Sequence, residues 1–124
     1  MSANPRQKRM LPAGLQMQEK DLDRAVRDAC KMFGWAYYHT FFSYKSPAGF
    51  PDCVLVRERV IYAELKGPKT PVSPRQVEWL DTLHKAGQEV YLWRPDNVQQ
   101  IVDVLRATGR PFPLPEPTWR PKDS

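Results

Sequence analysis

The amino-acid sequence predicts an α/β domain, a mixed β-sheet of about four strands flanked by helices in the order αβββαβα. Three segments carry apolar residues at helical spacing, and short runs rich in β-branched and aromatic residues lie between them. Two of these runs are separated by three residues, which predicts an antiparallel hairpin. The last run follows a helical segment, which predicts a crossover into a parallel strand and therefore a mixed sheet.

The first half of the chain predicts a helix, a strand and a hairpin. The helix is expected over residues 18–33 and should end at Gly34, which suits a left-handed C-terminal position. The aromatic-rich segment 35–42 predicts the first strand. The hairpin is expected to follow, with strands over residues 52–56 and 60–66. The apolar face of the helix consists of Leu22, Ala25, Val26, Ala29, Cys30 and Phe33.

The second half predicts a helix, a strand and a final helix. Ser73 is expected to cap the second helix, with Pro74 in its first turn and Gly87 after its end. Residues 89–94 then predict the fourth strand, and residues 95–109 predict the last helix.

The length of 124 residues suits one domain with a core of modest size. We predict a flexible basic arm over residues 1–16, a folded domain over 17–109 and an extended proline-rich tail over 110–124. The tail is expected to dock partly through one of three apolar residues, Phe112, Leu114 or Trp119.

Composition limits the possible partners. No run approaches the ~20 apolar residues of a membrane span, and the N-terminal segment lacks a signal-like apolar stretch. We therefore expect no membrane partner and a cytoplasmic location, in a bacterial host cell if a phage encodes the protein. The net charge of +5 favours a polyanionic partner, and a solvated basic surface is the alternative. Cys30 and Cys53 are expected to be buried thiols.

The segment "GFPDCVLVRERVIYAELKGP", residues 49–68, places charged residues where strands disfavour them. If the hairpin turn centres on Glu58, Asp52 and Glu64 oppose each other on one side of the sheet. Their Cβ atoms would then lie about 4.5–5.5 Å apart. Lys66 points to the same side. Because the turn lacks Gly or Asn, a register shifted by one residue stays open as an alternative.

Two opposed carboxylates repel each other unless a counter-charge lies between them. Carboxylate and carbonyl oxygens suit Mg²⁺ or Mn²⁺, so Asp52, Glu64 and the backbone carbonyl of Leu65 are candidate metal ligands. Lys66 would orient or activate an attacking water and offset charge in the transition state. The alternative interpretation is two solvated acids at strand ends, one of them paired with Lys66.

Pro51-Asp52 followed by Glu64-Leu65-Lys66 resembles the PD-(D/E)xK nuclease motif. The segments "EKDLDRAV", "GWAYYHT" and "SPRQVEWLDTLHKAGQEVYLWRP" look like the VRR-NUC family, in the small stand-alone form typical of phages and bacteria. The likeness runs over about residues 19–105. It implies a metal-dependent DNA endonuclease, similar to Holliday-junction resolvases in fold and often in forming homodimers.

The resemblance also implies roles for residues outside the motif. Glu19, which helical spacing places on the apolar stripe, matches a glutamate beside the metal site, and Gln76 matches a glutamine beside the catalytic lysine. Each has a structural alternative, because Glu19 suits a helix N-terminus and Gln76 fits a capping box with Ser73. His39 resembles the family's "YH", but we expect a core histidine there.

Loops on both sides of the motif are expected to contact DNA phosphates. Gly49 would allow the backbone to approach a phosphate closely. The alternative is that the loop charges are simply solvated. We expect Trp79, Tyr91 and Trp93 to lie in the core or in a dimer interface rather than to stack on bases. The four candidate DNA contacts are Lys45, Ser46, Gly49 and Lys69.

Together these observations predict an Mg²⁺- or Mn²⁺-dependent, structure-selective endonuclease that acts as a homodimer on branched or duplex DNA. One alternative is a catalytically silent DNA-binding module of the same fold. Another is a dimeric structural protein whose basic arm contacts phage or host proteins. The expected catalytic residues are Asp52, Glu64, Lys66 and Gln76. The expected metal ligands are Asp52, Glu64, the Leu65 carbonyl and Glu19.

Overall fold

The computed structural model describes residues 17–41 and 45–120, which form a four-stranded sheet with helices packed on both faces. The predicted basic arm over residues 1–16 lies outside the described residues. The elements in chain order are α1 (Glu19–Phe33), β1 (Ala36–His39), β2 (Cys53–Val56), β3 (Val60–Leu65), α2 (Pro74–Lys85), β4 (Glu89–Trp93), a 3₁₀ turn (Pro95–Asn97) and α3 (Val98–Arg106).

The strands lie in the order β1-β2-β3-β4. The first three pair antiparallel, and β4 pairs parallel with β3 after the crossover through α2. The predicted fold class and element order are therefore confirmed. The predicted caps are also present, because Gly34 adopts φ 81° after α1 and the Ser73 hydroxyl accepts the Gln76 N–H.

Two elements are shorter than predicted. The strand expected over residues 35–42 is Ala36–His39, because β2 offers partners only from Val56 to Cys53. Trp35 is buried, and its indole N–H donates to the Leu105 carbonyl at 2.8 Å. The last helix begins at Val98, after a 3₁₀ turn in which Asn97 Oδ1 accepts the Arg94 N–H at 2.8 Å.

Helices α1 and α3 cover one face of the sheet with Leu22, Val26, Ile101 and Leu105. The other face packs against α2, through a smaller cluster centred on Leu80. Both cysteines are buried and unpaired, as expected. Among the described residues, no helix is long and apolar enough to cross a membrane.

The C-terminal segment docks on α2 through Trp119. Its side chain is buried beside Leu80, and its indole N–H donates to Asp81 Oδ1 at 2.8 Å. Phe112, in contrast, is 99% exposed. Of the three residues predicted to dock the tail, Trp119 is therefore the main one.

The hairpin turn between β2 and β3 contacts the ends of two helices. Arg57 donates to the Phe33 carbonyl at 2.9 Å and to the Leu105 carbonyl at 3.0 Å. Phe33 is the last residue of α1, and Leu105 is the next-to-last residue of α3. Arg59 donates to Val104 at 3.1 Å and pairs at 2.8 Å with the buried Glu89. No non-glycine residue in the described part of the chain has a positive φ, so this turn does not need glycine or asparagine, and the arginine contacts hold it in place.

We expect Arg59→Met to destabilise the fold by about 3–5 kcal/mol, because it leaves the buried Glu89 carboxylate without its partner. Arg106→Met, which removes an exposed pair to Asp103, should cost at most about 1 kcal/mol. Urea unfolding of the two variants measures the difference. Equal losses would show that Arg59 is not an anchor of the turn.

Candidate active site

The hairpin register brings the two motif acids together. Val54 pairs with Tyr62 and Cys53 with Ala63, as the turn centred on Glu58 requires. Asp52 itself lies one residue before β2, so it does not belong to the ladder. Its Oδ2 instead accepts the Leu65 N–H at 2.7 Å, which fixes the carboxylate at the end of β3 beside Glu64.

Glu64 is buried at the centre of the site, with 1% of its surface exposed. Its Oε2 accepts a hydrogen bond from Gln76 Nε2 at 2.9 Å, and Lys66 Nζ lies 4.0 Å from the same oxygen. Burial, and next the charge of Asp52, raise the pKa of Glu64 from 4.5 to about 9. Within the described part of the chain, Glu64 Oε1 is buried without a hydrogen-bond partner.

Gln76 forms the capping box that the sequence allowed and also contacts the candidate site through Glu64, while its catalytic role stays a prediction. Its Oε1 accepts the Ser73 N–H at 2.9 Å, which completes the capping box at the start of α2. Its Nε2 donates at the same time to Glu64. The cap at the N-terminus of α2 therefore fixes the Gln76 amide group that orients Glu64. The Gln76 side chain thus links the start of this helix to the site.

Lys66 follows the last residue of β3 and is 9% exposed. Its backbone N–H donates to the Trp93 carbonyl at 3.0 Å, which extends the pairing with β4 by one residue. The backbone is thus fixed where the side chain turns toward Glu64. A buried lysine 4.0 Å from one carboxylate retains its other donor directions for a further anionic group.

Glu19 lies at the edge of the site and is exposed, so the expectation that it belongs to the buried stripe is wrong. The buried residues of α1 begin at Leu22, one turn later. Glu19 lines a cavity of about 370 Å³ together with Asp52 and Leu65. Partial desolvation and the charge of Asp52 raise the pKa of Glu19, which shows that the two acids interact.

His39 lines the same cavity and is half-buried, so it is not a core histidine. Its Nδ1 lies 3.2 Å from the Tyr37 hydroxyl, which itself donates to Asp23. A chain of polar groups therefore runs along the wall of this cavity. The His39 ring also meets the Phe41 ring edge-on, with centroids 4.9 Å apart.

The donor set fits a hard divalent cation. Asp52, Glu64 and the Leu65 carbonyl supply oxygens only, and the unpartnered Glu64 Oε1 is a buried acceptor that a cation would satisfy. Among the described residues, no three acidic, histidine or cysteine side chains form a group that could hold a metal by themselves. The ligand role of Glu19 therefore stays a prediction.

The four loop residues predicted to contact DNA do not form one cluster. Ser46 and Gly49 line a cavity on one side of Asp52, while Lys69 lines another cavity with Met17 and Asp96. Lys45 is exposed beside Ser46. Their phosphate contacts stay predictions.

Gly49 has a packing role that the sequence did not indicate. It adopts φ +99°, and a Cβ atom there would lie 2.6 Å from the backbone C and O atoms of Arg75. The loop that enters the motif therefore packs directly on the first turn of α2, close to Gln76. Any side chain at this position would push the loop away from the helix.

Sequence reasoning missed an aromatic cavity of about 670 Å³ beside Asp52. Trp79, which we expected in the core or a dimer interface, is half-buried and lines this cavity. Tyr91 and Trp93 do lie in the core. The missed signal is the sequence spacing of Gln76 and Trp79, three residues apart on α2, which places both side chains on one helix face.

We expect the stability of the metal-free protein to fall as the pH rises from about 4.5 to about 9. In this window the unfolded chain loses the Glu64 proton while the folded state, with its raised pKa, retains it. Glu64→Gln should show a flatter profile and an equal or higher thermal midpoint. Thermal unfolding in chelator measures both, with the exposed Glu78→Gln as a control that retains the wild-type slope. Identical slopes for wild type and Glu64→Gln would contradict the raised pKa.

Comparison with known proteins identifies the fold. A family model described as the VRR-NUC domain matches residues 3–97. A solved structure titled "VRR_NUC domain" superposes with a TM-score of 0.59 at 18% identity, over 71% of this chain and 97% of that chain. A comparison with curated proteins finds no significant match. Because the family model covers more than half of the sequence, the chain belongs to the VRR-NUC domain family and has its PD-(D/E)xK-type nuclease fold.

Proposed function

We propose that the protein is an Mg²⁺- or Mn²⁺-dependent DNA endonuclease that hydrolyses phosphodiester bonds. The observation that carries the proposal is Glu64, a buried carboxyl group with an unpartnered oxygen, held beside Asp52 and 4.0 Å from Lys66. A structural protein gains nothing from this arrangement, because burial and the charge of Asp52 raise the pKa of Glu64, and such a group opposes folding.

Each side chain has a definable task in phosphodiester hydrolysis. The Leu65 N–H orients Asp52, and Gln76 orients Glu64, so both carboxylates are held before substrate binds. Asp52 and Glu64 would hold a divalent cation, whose chemistry would be to polarise a phosphate and to activate a water. Lys66 holds a positive charge close to the phosphate, where it offsets charge that develops in the transition state and orients the attacking water.

We propose DNA as the substrate, with selectivity for its structure. The net charge of +5 favours binding to a polyanion, and binding should weaken steeply with salt because phosphate contacts release counterions. A four-way junction, a flap and a duplex present the same phosphate chemistry. Selectivity for one DNA structure must therefore come from contacts with the protein surface around Asp52 and Glu64.

The proposal predicts that Glu64→Gln and Lys66→Ala each lower the cleavage rate by at least about 10²–10³-fold. The assay is a panel of four-way junction, flap, nicked and plain duplex DNA with Mg²⁺ or Mn²⁺. Glu78→Gln, which changes an exposed acid on α2, is the matched control and should cleave like wild type.

Calorimetric titration with Mn²⁺ distinguishes the metal-binding role of Glu64 from the role of Lys66 in turnover. Glu64→Gln should lose metal affinity, whereas Lys66→Ala should retain it and lose only turnover. Wild-type protein that binds DNA but neither binds Mn²⁺ nor cuts any member of the panel would instead be a silent binding module.

We also propose a two-fold homodimer, since symmetric cleavage of two strands needs two sites. The position of β1 at the edge of the sheet supports this, because its outer backbone groups can pair with another chain. Light scattering at micromolar concentration should give twice the chain mass of 14.4 kDa. A monomer that cuts junctions symmetrically would contradict the dimer.

A further inference from the structure

The aromatic cavity beside the acids has the size of a ligand site. It measures about 670 Å³ and lies between the end of β1, the loop over residues 45–50 and helix α2. Pockets that bind small organic groups typically measure about 300–1,000 Å³. Four large aromatic side chains contribute to its walls, namely Tyr38, Phe41, Phe50 and Trp79.

Two of these rings face solvent, although large aromatic side chains are seldom left open. Tyr38 is 63% exposed and Phe41 79% exposed. The other two rings, Trp79 and Phe50, pack on each other edge-to-face with centroids 5.1 Å apart. The cavity thus combines a packed aromatic wall with two rings that are available for stacking.

The cavity is continuous with the candidate active site. Asp52 and Gln76 line it, and Gln76 also donates to Glu64. Asp52 is the one Asp, Glu, Lys or Arg among the described lining residues. The cavity therefore suits an uncharged aromatic group that is attached to a phosphate at the acids, rather than a phosphate itself.

We infer that this cavity binds an unpaired nucleobase next to the scissile phosphate, an inference that rests on the proposed nuclease function. Every base offers a flat face for stacking on aromatic side chains. In a continuous duplex both faces of a base are covered by its neighbours, so only an unstacked base can enter. The substrate class is then DNA with a single-stranded nucleotide at the cut, such as a flap, a bulge or an opened junction.

The test compares single-stranded and duplex binding in variants of the exposed rings. Tyr38→Ala and Phe41→Ala are made in the Lys66→Ala background, which should retain Mn²⁺ and lose turnover, so that Mn²⁺ can be present without cleavage. Anisotropy of a labelled single-stranded dT oligonucleotide and of a blunt duplex of equal length gives the affinities. Phe112→Ala, which removes a fully exposed ring outside the cavity, is the control.

Each ring variant should bind the single strand about tenfold more weakly, with duplex affinity and the Phe112→Ala control unchanged. Equal losses for both DNA forms, or no loss, would overturn the inference and leave the nuclease proposal intact. Loss of a dimer without loss of single-strand affinity would also overturn it, because a second copy would then cover the rings. If wild-type protein neither binds nor cuts any DNA, both proposals fail.

Discussion

The contact between the hairpin turn and two helix ends is the constraint on which the site depends. Carbonyl groups in the last turn of a helix lack intrahelical partners and carry partial negative charge. The guanidinium groups of Arg57 and Arg59 satisfy such carbonyls in both α1 and α3, and both stack near the Trp35 ring. If the pairing register of the hairpin shifted by one residue, these hydrogen bonds would break and every apolar side chain of the shifted strand would move to the opposite face of the sheet.

That register determines the chemistry at the other end of the same strands. With the turn fixed, β2 begins where Asp52, just before it, can reach the Leu65 N–H, and Glu64 is held inward against Gln76. The folded chain thereby keeps a carboxyl group with a raised pKa in its interior, which lowers the stability of the fold at neutral pH. Stability supplied by the turn, the two cores and the docked Trp119 compensates for this. A strained, acidic site is typical of catalytic centres.

The two faces of the sheet are covered unequally. Helices α1 and α3 together close one face, whereas α2 alone packs against the other, with Trp119. The part of this second face nearest β1 is left open, and there Tyr38 and Phe41 remain exposed beside the acids. The contact of Gly49 with Arg75 holds the loop against α2 and so defines the far wall of the cavity. Uneven coverage thus leaves an open aromatic surface beside Asp52.

The sequence alone determined the element order and the helix caps, because both depend on local spacing and on residues such as Gly34 and Ser73. The hairpin register stayed open by one residue in the sequence and was decided by the contacts of Arg57 and Arg59 with the helix ends. It also identified the motif residues Asp52, Glu64 and Lys66 and the capping box of Gln76 with Ser73, whereas the contact of Gln76 with Glu64 emerged only in the folded chain. The tertiary structure decided that Glu19 is exposed, that His39 faces a cavity and that Gly49 packs on a helix. Those outcomes depend on how separate elements meet, since exposure and close approach are set by neighbours distant in the chain, and local patterns carry no record of them.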